Sequence, residues 1–284
     1  DTLCMESPYD YDPLWRRCTE LGVAVTSHAP SVGWGSRVVS YHYIHNHVGS
    51  FAASGEAFAK AVVLSGVSKR FPTLNFAFLE GGVAWASELY AGLVGHCGKR
   101  NRQKMDLYDP HNIDKGMLAD LFNQYGQGLV EGRPDPDDPS FVRWPGGWHQ
   151  LDDDLIAKEL ETLGIETAED LRPLFEPNFY FGCEADDPLV ALGFDRRMNP
   201  FGSQLKAMFS SDIGHWDVPD MTRVLEEAYE LVEKELLDEE EFGEFTFVHP
   251  AMLHAGMNAD FFKGTIVEDA VAKLLERSAL VERE

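Results

Sequence analysis

The sequence predicts an α/β fold built on a parallel sheet, and three observations predict it. Short apolar runs such as LNFAFLEGG (residues 74–82) are too brief for helices and lack polar alternation, the pattern of strands buried on both faces. Each such run follows a stretch of helical composition, so helix-then-strand units recur. The strand runs also tend to end in a polar residue, as they do where a parallel sheet presents its loops to a site.

Taken in order, DPLWRRCTELG reads as a helix with Pro13 in its first turn and Gly22 at its close. VAVTSHAP is a short β-rich run ending in His28. Residues 31–50, rich in Gly, Ser and aromatics, read as a long loop. Residues 55–70 have helical composition and stop before Phe71-Pro72. The 74–82 strand follows, and VAWASELYAGLVGH continues as a helix. Residues 99–150 mix charge, Pro and Gly; they read as an insertion over one end of the fold, with one helix near 115–123.

The rhythm then returns. LDDDLIAKELETLGI and TAEDLRPLF are short helical pieces with acidic starts that suit the helix dipole. NFYFGCEADDP is a strand running into an acidic loop, DPLVALGF is helical, and QLKAMFSSD is a strand ending at Asp212. DMTRVLEEAYELVEKELL reads as an amphipathic helix with Asp220 as its cap, and a last helix lies near 266–277.

Composition narrows the function classes. With 48 Asp+Glu against 24 Lys+Arg and no basic stripe, the net charge of −24 disfavours nucleic acid and anionic membranes. Cys4, Cys18, Cys97 and Cys183 have no zinc-finger or CxxC spacing, and no signal peptide or spanning run is present, so the expectation is a reduced, cytoplasmic chain. Neither GxGxxG nor a P-loop nor GxSxG occurs, and no segment has EF-hand spacing.

Four strand ends carry polar residues: His28, Glu80, Glu184 and Asp212. Imidazole and carboxylate are the donors that a Zn²⁺ or Mn²⁺ centre selects. The YHYIHNHVG stretch adds His42, His45 and His47 just past His28, of which His47 is the candidate and the other two read as solvent-facing. His215 lies three residues past Asp212 and is placed to orient it. Trp85 and Trp216 read as packing residues.

GVAVTSHAP, RFPTLNFAFLEGGVAWA and MFSSDIGHWDVPDM, in that order and spacing, resemble the amidohydrolase-related family. The likeness is to the branch with the aminocarboxymuconate-semialdehyde and hydroxybenzoate decarboxylases, and it spans residues 8–265, weakest across 99–150. It implies a single (β/α)8 TIM-barrel domain over 1–284, a divalent metal on His28 and Asp212, and Asp212 as acid/base. It also implies a small carboxylated or aromatic substrate, and it leaves room for a homo-oligomer with the insertion at the interface. Catalytic residues on this resemblance are Asp212, Glu80 and His47, with His215 behind Asp212.

Three departures qualify the likeness. The family's strand-one HxH or ExH ligand pair has no counterpart before His28, so the barrel is expected to be incomplete at its N-terminus. The strand-six position, His in many decarboxylases, is Glu80, which leaves hydrolysis and decarboxylation both open. A barrel without its first strands has open edges. The rival expectation is a non-catalytic, truncated or degenerate barrel that cannot hold a metal.

Overall fold

Four short strands, β1 (Val25–Ser27), β2 (Phe76–Phe78), β3 (Phe179–Cys183) and β4 (Lys206–Phe209), pair in sequence order as one parallel sheet. The structure is a computed structural model that describes residues 4–5, 7–28, 38–100, 112, 114–126, 163–216 and 218–281. The α/β class with a parallel sheet is therefore what the described residues form. They fall into two compact units, Asp1–Val94 with Glu169–Glu284, and Gly95–Ala168.

In the first unit, alternation along the strands separates two faces. Phe76, Phe78, Phe179 and Phe181 point to one side and meet Trp15, Phe58, Trp85 and Phe175 in edge-to-face and stacked pairs. These partners come from α1 (Asp12–Leu21), α3 (Ser50–Leu64), α5 (Ala84–Arg100) and α7 (Arg172–Phe175). The four strand phenyls are at most 1% exposed, and each such burial contributes about 1.5–3 kcal/mol. These rings form one aromatic layer between sheet and helices.

The opposite face carries Ala77, Tyr180 and Met208, packed under Leu253 of α11 (His249–Ala255). Asn75 anchors that helix by donating its Nδ2–H to the carbonyls of Leu253 (2.9 Å) and Met252 (3.4 Å). Lys206 lies on the same face, with Nζ 4.7 Å from the centre of the Tyr180 ring and donating to the Pro177 carbonyl. Burial pushes the Lys206 amine down to about 8.

The free edge of β4 is closed by a side chain. His249 Nδ1 stands 2.7 Å from the Ala207 carbonyl, which can only accept, so the proton sits on Nδ1. Burial pushes this imidazole down to about 4, which keeps it neutral. Pro250 has no N–H for the Thr246 carbonyl, and the chain widens into a π turn (Glu244–Val248) just before α11. On the other side of the sheet, no strand pairs with the outer edge of β1 among the described residues.

Several elements differ from the sequence expectation. The expected 31–50 loop contains a helical turn, α2 (Tyr43–His47), capped by His42, whose Nδ1 accepts from the His45 N–H at 3.3 Å; residues 31–37 lie outside the described residues. The expected 55–70 helix starts earlier and is split into α3 and α4 (Val67–Arg70) at Ser65–Gly66. Asp220 is not a cap: it accepts from Thr222 N–H and Oγ1–H in its own turn, and α9 (Val224–Glu233) begins beyond it. The N-cap position falls to Arg223, three residues further on, whose side chain makes no capping bond. The acidic run at 238–241 instead forms a reciprocal capping box between Asp238 and Glu241, opening α10 (Glu239–Gly243). The last helix, α12, runs Glu268–Val281.

In the second unit, α6 (Lys115–Tyr125) is capped by Asp114, whose carboxylate accepts from the Met117 N–H at 2.9 Å. Much of the expected 99–150 insertion, and 151–162 of the LDDDLIAKELETLGI piece, lie outside the described residues. Among the described residues, no helix is long and apolar enough to cross a membrane.

Candidate active site

Because every strand pairing is parallel, the four C-terminal strand ends share one edge, and the four polar residues follow them there. His28 and Glu184 come directly after β1 and β3, Glu80 after Leu79 beyond β2, and Asp212 after two serines beyond β4. Two of them have unusual backbones. Glu80 has φ 58° and Asp212 has φ 49°, in the left-handed region where a Cβ is crowded. Such strain persists only where the surroundings over-determine it, and it gathers at working sites.

Each strained carboxylate is paired with an imidazole. Glu80 Oε1 lies 3.2 Å from His28 Nε2, and Asp212 Oδ2 lies 3.2 Å from His215 Nδ1. The carboxylates are the less exposed partners, 14% against 49% in the first pair and 24% against 46% in the second.

An arc of rings joins the two pairs. His28 meets Phe51 edge-on at 5.3 Å, Phe51 meets His47 at 5.7 Å, and His47 stacks on Tyr43 at 5.0 Å. Tyr43 meets Trp216 at 6.2 Å, and Trp216 adjoins His215 at 6.5 Å. His47 thus reaches the site through α2, whereas His42 and His45 stay exposed. Trp85 packs beneath the site as expected, whereas Trp216 is not buried: at 73% exposed in the 213–216 turn, it meets the Tyr43 and His215 rings.

The turn after β2 is held from below. A Cβ on Gly81 would stand 2.9 Å from Trp85 Nε1 and 3.2 Å from the Ala52 backbone, so only glycine fits beside Glu80. A Cβ on Gly82 would meet Asp187 Oδ2 at 2.8 Å. Asp187 itself accepts from the Leu189 N–H, and burial pushes its carboxyl up. Burial likewise pushes the Cys183 thiol well up, which makes it an inert packing group.

Beside Asp212 opens a cleft of about 600 Å³, lined among others by Glu184, Asp220, Arg223, Glu227 and Glu230. Arg223 is held by Glu226 through two bonds of 2.9 and 3.0 Å, so the local field is negative. The donor chemistry of the site suits Zn or Mn, but the count does not. Among the described residues, no three His, Cys, Asp or Glu side chains converge as a metal set requires. His28 and Asp212 instead belong to two separate imidazole–carboxylate pairs.

Sequence reasoning missed Phe51, Tyr43 and Asp187. The short NHVGSF stretch did contain a signal for the first: Gly49 has φ 72° and turns α2 directly into α3, bringing Phe51 back over His47. Compared with known proteins, the chain matches no family model and no curated protein.

Proposed function

We propose that this chain is an acid–base enzyme of the amidohydrolase-related (β/α)8 kind, a hydrolase or decarboxylase of a small carboxylated or aromatic substrate. The observation that carries the reading is the pair of strained carboxylates, Glu80 and Asp212, each 3.2 Å from an imidazole nitrogen at the loop-bearing edge of a parallel sheet. Four consecutive parallel strands are also half the number in a closed eight-stranded barrel.

In this reading Asp212 moves the proton. It delivers one to the carbon that loses CO₂, or accepts one from the attacking water, while His215 holds its orientation. Glu80 orients or protonates the substrate from the other end of the ring arc, and His47 faces the space between. The reading includes a divalent Zn or Mn ion on His28 and Asp212. Those two residues alone fall short of a stable set, so no step is derived through the ion. A carboxylated substrate entering beside Glu184 and Asp212 does need a compensating positive charge, whereas a neutral aromatic one does not.

The test is elemental analysis of the purified chain beside His28→Ala and Asp212→Ala. Near-stoichiometric Zn or Mn, lost in both variants, supports the reading. A metal-free parent removes the ion from it and favours the second reading, a non-catalytic barrel scaffold.

A further inference from the structure

Phe51 is the one side chain in the ring arc that touches two imidazoles from two different elements. It stands in the first turn of α3, and its ring meets His28, at the end of β1, at 5.3 Å and 64°. The same ring meets His47, the last residue of α2, at 5.7 Å and 77°. Both geometries are edge-on, the arrangement in which one ring's positive edge meets another's negative face. His28 is gripped on its far side by Glu80 at 3.2 Å, and His47 by the stacked Tyr43 ring at 5.0 Å. Each imidazole therefore has one partner of its own and one that they share.

We infer that Phe51 is a positioning residue that sets the ring planes of His28 and His47 together. An imidazole at the surface otherwise turns freely about its terminal torsion, which is broad. His28 is half exposed, so its contact with Glu80 at 3.2 Å by itself leaves the ring able to pivot. The phenyl edge removes that freedom. Because Gly49 turns α2 tightly into α3, a shift of Phe51 moves both rings at once. The functional consequence rests on the proposed function: His28 and His47, two residues of its site, are then aligned by one packing contact.

The experiment compares the parent chain with Phe51→Leu and Phe51→Tyr by side-chain NMR of the histidines at one fixed pH. In the parent and in Phe51→Tyr, His28 and His47 each give one sharp ring pattern. In Phe51→Leu both patterns broaden or average, and His215, held by Asp212, does not change. Unchanged patterns in Phe51→Leu, or a change confined to one imidazole, would overturn the inference. A metal-free parent in the elemental analysis removes only the ion from the proposed function, while the ring patterns still decide the role of Phe51. Should Phe51→Leu not fold, Phe51→Met fills the space without a ring and gives the same comparison.

Discussion

The Glu80 carboxylate reaches His28 Nε2 at 3.2 Å from a backbone held at φ 58°. The chain leaves β2 through Leu79, and Trp85 and Ala52 leave no room for a Cβ on Gly81, the residue after Glu80. Asp212 repeats the arrangement after β4, with φ 49° and His215 at 3.2 Å.

Glycine at either strained position should relieve the backbone while removing the acid. Glu80→Gly and Asp212→Gly are expected to be more stable than the matching alanine variants by about 1 kcal/mol, the cost of a Cβ in the left-handed region. Urea unfolding of the four variants measures this. Equal stabilities would mean that the strain at these two residues is not real.

Asp212→Asn separates fold from chemistry. Asn tolerates the left-handed region, so stability should change by less than about 0.5 kcal/mol. Any turnover found should fall by about 10²-fold or more, because the amide cannot carry the proton. Little loss of rate would remove the role given to Asp212.

Gly81→Ala tests the support of the site. Its Cβ would press on Trp85 Nε1 at 2.9 Å, and the resulting overpacking should cost about 1–3 kcal/mol. A Trp85→Phe background, which deletes the indole nitrogen, should recover part of the loss. Thermal melts of the single and double variants give the coupling.

The pH dependence of stability has a definite sign. His249 is held near 4 when folded against about 6.5 unfolded, so the unfolded chain binds the extra proton between those values. Stability should therefore fall as pH drops from about 6.5 to 4, and His249→Gln should flatten that fall. Lys206, near 8 when folded against about 10.5 unfolded, gives a rise in stability between those values, which Lys206→Met should abolish. Urea midpoints across both windows check each sign.

What the sequence by itself determined was local and periodic. The apolar runs at 76–78 and 179–183, the Pro13 and Gly22 boundaries of α1, and polar residues at the strand ends were all legible, because short-range pattern and backbone preference decide them. His28, Glu80, Glu184 and Asp212 sharing an edge followed once the strands were taken as parallel. Only the tertiary structure decided which residue meets which. Glu80 pairs with His28 across 52 positions of chain, and Trp216 stands exposed against Tyr43 instead of packing. Such partners depend on what packs around each turn, as Trp85 and Ala52 do beside Gly81. That information is spread over distant residues and has no period to read.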